Sequence, residues 1–156
     1  MFYSLLVGLP VMLLCLVLQA VFLIVCLRRY MRFRQIQPQS DQPLHDILLL
    51  ALIMLLLLLG NFLQMTVWAG LFVLLGEFDS FATALYFSGV SFTTLGYGDI
   101  VLSAQWRLLG PLEAANGILM FGVSTAAMTA TVMDMLKHSR LNTPAITDSN
   151  NQSTQP

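Results

Sequence analysis

The sequence has 156 residues, of which 57% are hydrophobic and only 10% are charged, and its mean hydropathy is +0.78. A soluble domain carries about 25% charged residues, so the composition excludes a soluble globular protein and indicates an integral membrane protein of about one domain. The net charge of −1 gives no reason to expect a nucleic-acid partner. The sequence contains no metal-ligand spacing, nucleophile elbow or phosphate loop, so we expect neither an enzyme nor a cofactor.

A first membrane-spanning helix is predicted over residues 1–27, which are almost wholly apolar and long enough to cross a bilayer. Basic residues follow this run instead of preceding it, so we expect a retained helix and not a cleaved signal peptide. Four arginines between Arg28 and Arg34 open a cytoplasmic linker predicted over 28–43, which places the N-terminus outside. The start of this linker is either a short segment in the headgroup layer or a plain loop.

A second span is predicted over residues 44–75. As a helix it would be about 48 Å long. This exceeds a hydrocarbon core of about 30 Å, so the helix should tilt or project beyond the membrane. Asn61 and Gln64 in its outer half should face protein and not lipid. Trp68 is a candidate for the interfacial aromatic belt.

A short apolar helix is predicted over residues 81–92, with Asp79 or Ser80 as its N-cap. At about 18 Å it is too short to cross a bilayer. We interpret it as a half-helix that enters from outside and points the negative end of its dipole at the bilayer centre, where a cation would be favoured. The string T-T-L-G-Y-G-D over 93–99 follows at once. Irregular backbone at this depth must line water or be buried in protein; the alternative is an ordinary outside loop.

A third span is predicted over residues 108–136, and Lys137 and Arg140 follow it. It therefore ends inside, and six of the seven Lys and Arg residues are then cytoplasmic. We expect residues 137–156, which are mostly polar, to form a disordered cytoplasmic tail.

The string T-L-G-Y-G-D closely resembles the potassium-channel filter, usually written T-V-G-Y-G-D, with Leu95 in place of valine. The third span contains N-G-I-L-M-F-G-V-S-T-A, which resembles the inner helix of bacterial two-helix channels. The resemblance covers residues 44–136 and is to the potassium channel pore-domain family, in particular small bacterial channels and single halves of two-pore-domain channels. It implies an all-α membrane protein with three transmembrane helices, and a re-entrant pore helix and filter loop between the second and third.

The resemblance also implies a homotetramer, because one pore loop cannot surround an ion. Four loops around an axis would stack rings of oxygens that replace the water shell of K⁺, the permeant ion. We therefore expect partners in the chain itself, the lipid bilayer and K⁺, in the plasma membrane and specifically a bacterial inner membrane. Coordination would fall to the carbonyls of Thr94, Leu95, Gly96 and Tyr97 and to the Thr94 hydroxyl, with Gly98 at the outer entrance.

Several residues around the filter receive roles from the same resemblance. Tyr86 and Phe87 take the places of the aromatic pair that packs around the filter, and Thr93 supports its base. Val90 stands where some bacterial channels have a glutamate, so no carboxylate pair with Asp99 forms there.

Carboxylates outside the membrane would concentrate cations at the mouth of the channel. They are Asp79, Asp99 and Glu77. Solvated surface charge is the alternative, and it is favoured for Glu77 more than for Asp99, which belongs to the motif.

On the third span, Gly117 is the expected gating hinge, because a glycine weakens a helix by about 1 kcal/mol. The alternative is close packing of helices, which we favour for Gly122. Residues that share one helix face are expected to line a hydrated cavity. They are Ile118, Phe121, Thr125, Thr129 and Met133.

Glu113 is a carboxylate inside an apolar span, which is costly unless it has partners. We expect Glu113 and Asn116 to bond to Asn61 or Gln64, or to the back of the pore helix. Glu113 is then a candidate pH-sensitive group. The alternative is an outer-leaflet side chain that reaches the interface.

The leading interpretation is a potassium-selective channel with neither a voltage sensor nor a ligand domain. A non-selective cation channel is the alternative if Leu95 widens the filter. A second alternative, suggested by the extra first helix, is a non-conducting subunit of a larger membrane complex.

Overall fold

The computed structural model describes residues 2–36 and 43–142. Within these ranges the chain is all-α, as predicted, and contains no strand. Three of the described helices include stretches that are long and apolar enough to cross a membrane: Phe2–Arg29, Ile47–Leu74 and Leu109–Asp134. The helices are α1 (Phe2–Ile36), α2 (Pro43–Leu74), α3 (Phe81–Phe92) and α4 (Leu109–Asn142).

Helix α1 continues through the arginines to Ile36, which corrects the predicted start of the linker at residue 28. Residues 28–36 contain no glycine or proline, and arginine, methionine and glutamine are good helix formers. Helix α4 likewise continues to Asn142, beyond the predicted end of the inner helix. The remaining linker and tail residues, 37–42 and 143–156, lie outside the described residues.

Helix α2 ends in a turn that brings the chain back onto itself. Gly76 has φ +72°, its N–H donates to the Val73 carbonyl at 3.0 Å, and the Glu77 N–H donates to the Phe72 carbonyl at 3.0 Å. This pair of bonds is the Schellman motif, which requires a left-handed residue directly after the helix. The turn lets the short helix α3 pack back against α2.

The core lies where α1, α2 and α3 meet. Phe72 and Phe87 pack edge to face there, with ring centroids 5.2 Å apart. Trp68 is fully buried in the same cluster beside Cys15 of α1. Its predicted place in the interfacial belt is therefore wrong, because α1 covers it. Cys15 and Cys26 are both buried, as expected of small apolar side chains.

Helix α1 packs along both α2 and α4. A Cβ atom on Gly8 would meet Leu112 of α4 at 2.7 Å, and a Cβ on Gly60 of α2 would meet an α1 side chain at 3.3 Å. Near its beginning, Ser4 Oγ donates to the Gln105 carbonyl at 2.8 Å. The N-terminal end of α1 therefore lies beside the loop that follows the filter string.

Candidate functional site

The filter string leaves α3 as irregular backbone with an alternating conformation. Thr94 has φ 60°, Gly96 has φ 58° and Gly98 has φ 73°, whereas Leu95 and Tyr97 between them do not have positive φ. A backbone that alternates in this way can turn successive carbonyls to one side, as a column of coordinating oxygens requires. Coordination of K⁺ by these residues stays a prediction.

Thr94 is held in a strained conformation by the last turn of α3. A β-branched residue with positive φ is rare and costs about 1–3 kcal/mol. The Thr94 N–H donates to the Ser91 carbonyl at 2.9 Å, and the N–H groups of Leu95 and Gly96 donate to the Val90 carbonyl at 2.9 and 3.2 Å. Val90 thus supports the filter through its backbone. The sequence could not reveal this role, since every residue type carries the same carbonyl.

The last residue of the filter string, Asp99, is tied to the middle of α3. The Tyr86 hydroxyl donates to Asp99 Oδ2 at 2.7 Å. This bond to Asp99 raises the pKa of the Tyr86 phenol, because it favours the protonated donor form. Sequence reasoning identified Tyr86 as a supporting aromatic residue but did not identify its hydroxyl as the link.

The other predicted supports lie on the same short helix. Phe87 is buried against the aromatic core. Thr93 is the C-cap of α3, and its hydroxyl donates to the Gly89 carbonyl at 2.6 Å. Ser80 is the N-cap residue, as expected, but its side chain makes no capping hydrogen bond.

Of the three carboxylates predicted at the mouth, Glu77 anchors the loop after the filter. Its two carboxylate oxygens accept bonds from the Ser103 N–H and the Ser103 hydroxyl, each at 2.7 Å. Glu77 is therefore more than a solvated charge. Asp79 and Asp99 are exposed.

Glu113 is buried in contact with Ser88 of α3. Ser88 Oγ is hydrogen-bonded to Glu113 Oε1 and lies 2.8 Å from the Met65 carbonyl oxygen. The expected contact with the back of this helix is thus present. The alternative, in which the Glu113 side chain reaches the interface, is wrong, since this side chain is fully buried.

Asn116, one turn further along α4, makes the second expected contact. Its Nδ2 donates to Gln64 Oε1 at 3.3 Å. Asn61 and Gln64 are both buried, as expected. Among the described residues, however, Asn61 Oδ1 has no hydrogen-bond partner.

Gly117 lies against the end of α3, and α4 passes through it without interruption. Close packing against Phe92 therefore explains a glycine at this position. Its role as a hinge stays a prediction. Around Gly122, a Cβ atom would meet nothing within 4 Å in the described part of the single chain. The packing expected for Gly122 thus has no partner there.

The predicted cavity residues leave an open face on α4. Ile118 and Met133 are exposed, as are Thr125 and Thr129, whose hydroxyls donate to carbonyls four residues back at 2.8 and 2.9 Å. Phe121 is partly covered by an edge-to-face contact with Phe92, with centroids 5.8 Å apart. One chain presents these side chains on a surface, and their role in a cavity stays a prediction.

Comparison with known proteins supports the same part of the chain. The sequence model of an ion channel family matches residues 51–134, more than half of the chain. The match includes most of α2, all of α3, the filter string and most of α4. Comparison with curated proteins and with solved structures found no match. Together with three apolar helices in the described residues, the match establishes a multi-pass membrane protein. The chain belongs to this ion channel family, the potassium-channel pore-domain family that its filter motif resembles.

Proposed function

We propose that the chain is the subunit of a homotetrameric potassium-selective channel that conducts K⁺ passively through residues 94–98. The observation that carries the proposal is the positive φ at Thr94, Gly96 and Gly98, alternate positions of a T-L-G-Y-G string. Carbonyl oxygens that replace the ion's water shell need such a backbone. K⁺ is the transported substrate in this proposal, and no catalytic step is involved.

The exposed filter is the argument for four copies. In the single chain the side chain of Leu95 is 55% exposed and that of Tyr97 is 66% exposed. The string forms one wall only, so an ion beside it would keep water on its other sides. An open apolar groove of about 380 Å³ lies next to Thr93 and Phe121. Neighbouring copies of the chain would cover this groove and complete a ring of four subunits around the ion.

The proposed orientation places the filter mouth and the N-terminus outside and the C-terminus in the cytoplasm of a bacterial cell. The Ser4–Gln105 bond keeps the beginning of α1 at the filter-mouth end. Arg28, Arg29 and Arg32 are exposed near the other end of α1. Positive charge of this kind stays on the cytoplasmic side.

The test is ion flux into liposomes that contain the purified protein, under a K⁺ gradient and with barium as a blocker. We expect barium-sensitive K⁺ flux in the wild type and its loss in Gly96→Ala. Gly70→Ala is the matched control, because Gly70 is helical and has open space around it. Absence of flux from correctly assembled wild type would reject the channel and favour a non-conducting subunit.

Selectivity needs a separate measurement, because Leu95 is unusual in the string. Reversal potentials in mixed K⁺ and Na⁺ should lie near the K⁺ equilibrium potential. A reversal potential that treats the two ions alike would reject K⁺ selectivity and favour a non-selective cation channel. Leu95→Val is the companion variant, and we expect it to leave the ion preference at least as strong as in the wild type.

We further propose that Glu113 makes conduction pH-sensitive. A serine hydroxyl has one proton to donate, yet Ser88 Oγ is close to both the Met65 carbonyl and Glu113 Oε1. Both contacts are hydrogen bonds at the same time only when Glu113 itself donates a proton to Ser88. Loss of that proton would break one bond at the back of the pore helix.

A further inference from the structure

A line of buried side-chain amides joins helix α1 to the pore module. Gln64 Nε2 donates to Gln19 Oε1 at 2.8 Å, and Gln19 Nε2 donates to Ser124 Oγ at 3.4 Å. Asn116 Nδ2 donates to Gln64 Oε1 at 3.3 Å. Gln19 is 2% exposed, and the other two amides are fully buried. One amide each from α1, α2 and α4 therefore forms a directed chain inside the apolar interior.

The chain depends on each of its members. Buried amides that lose a partner cannot turn to water for a replacement. Asn116 Oδ1 has no hydrogen-bond partner among the described residues, and Asn116 Nδ2 donates to Gln64. Gln19 links Gln64 to Ser124, since its amide accepts from Gln64 and donates to Ser124. Removing Gln19 would leave the Gln64 donor without its acceptor.

The amide chain ends next to the contact between α4 and the pore helix. Asn116 precedes Gly117, and a Cβ atom on Gly117 would overlap the Phe92 carbonyl at the end of α3. The same last turn of α3 supplies the Val90 and Ser91 carbonyls that hold the beginning of the filter. A displacement of α4 at Asn116 would therefore move the turn to which the filter is bonded.

We propose that Gln19 is a positioning residue for the filter. Through Gln64 and Asn116, α1 holds α4 in the place where Gly117 receives the end of the pore helix. Helix α1 is then part of the support of the filter and not only a membrane anchor. The inference rests on the proposed K⁺ conduction and assigns a role within that same site.

The test compares single-channel currents of wild type and variants reconstituted in planar bilayers. Gln19→Leu removes both bonds and retains apolar volume. We expect its mean open time, or its permeability ratio of K⁺ over Na⁺, to fall by roughly 2- to 30-fold, the range of coupled residues. The double variant Gln19→Leu/Gln64→Leu should fall less than the product of the two single effects, because the two residues share a bond.

Ser4→Ala is the matched control. It also removes a hydrogen bond between α1 and the pore module, but at Gln105, away from the amide chain. If α1 is only an anchor, Ser4→Ala and Gln19→Leu should behave alike. If Gln19 positions the filter, Gln19→Leu alone changes open time or selectivity. The size and thermal midpoint of each purified assembly show that the variants are folded.

The outcomes separate this inference from the proposed function. A wild type that does not conduct K⁺ rejects both. If the wild type conducts K⁺ and Gln19→Leu has the same mean open time and permeability ratio, the positioning role is overturned and the channel function stands. If Gln19→Leu does not assemble, Gln19→Asn replaces it, since that change keeps the amide and shortens its reach. Wild-type open times and selectivity in Gln19→Asn would then overturn the inference.

Discussion

Gly117 lies so close to Phe92 that a Cβ atom on Gly117 would stand 1.9 Å from the Phe92 carbonyl oxygen and 2.8 Å from its carbonyl carbon. Both partners are backbone, so neither can rotate away as a side chain would. This contact joins α4 to the end of α3, immediately before the filter string in the sequence. The lack of space for a Cβ atom explains a glycine at this position without any need for helix bending.

Gly117→Ala should therefore destabilise the protein. Overpacking of this kind costs about 1–3 kcal/mol per subunit, which exceeds the gain of about 1 kcal/mol from alanine in a helix. The thermal midpoint of the purified assembly should fall, and K⁺ flux should fall with it. A pure hinge would give the opposite stability result, with an unchanged or higher midpoint and reduced opening. Gly122→Ala is the control, because no atom of the described residues lies within 4 Å of a Cβ atom placed on Gly122.

Gly96→Ala should abolish K⁺ flux while the protein still assembles. At φ 58° an alanine costs about 1–2 kcal/mol, and relaxation of that strain would turn a carbonyl out of the column. No atom of the described single chain lies within 4 Å of the added Cβ. The effect should therefore appear in flux and selectivity more than in folding. K⁺ flux at the wild-type level in Gly96→Ala would contradict the proposed filter geometry.

Tyr86→Phe should lower the K⁺ over Na⁺ permeability ratio by about 2- to 5-fold, because it releases Asp99 at the outer end of the filter. The pKa of the Tyr86 phenol is raised by this bond above the usual value of about 10. The tether is therefore complete below about pH 10 and is lost as pH rises through the raised pKa. Reversal potentials at several pH values check this. Equal K⁺ over Na⁺ permeability ratios in wild type and Tyr86→Phe between about pH 6 and pH 9 would argue against the tether.

Glu113→Gln should change the pH dependence of the current. The amide can still accept from or donate to Ser88, so the pore helix keeps a partner while the titrating group is gone. Ser88→Ala is the companion variant, because it retains the carboxyl group and removes its partner. Currents are compared over the same pH range in both. Identical pH profiles in wild type and Glu113→Gln would reject the proton-sensing proposal.

The sequence was most informative where local chemistry decides the structure. The bounds of α3 were predicted correctly because a cap residue precedes it and the glycine string follows it. The burial of Asn61 and Gln64 followed from the cost of polar groups in lipid. By contrast, the burial of Trp68 depends on α1 lying across it, and the sequence does not reveal which helix covers which face.

Parts of the candidate site were missed for the same reason. The Tyr86–Asp99 bond and the contact of Glu77 with Ser103 join residues that are distant in the sequence, and nothing local indicates the pairing. Gln19 did leave a signal, because it is an isolated amide in an apolar run. Its partners became visible only with the packing of three helices.

The buried amide of Gln19 also has a consequence for the order in which the protein is made. Helix α1 is synthesised before α2 and α4, so it reaches the bilayer before Gln64 and Ser124 exist to bond with it. Until α2 arrives, the amide is exposed to lipid, which favours rapid pairing of the first two helices into a hairpin. The bond between Gln64 and Gln19 would thus also guide early assembly, and a chain lacking α1 would leave Gln64 Nε2 without its acceptor.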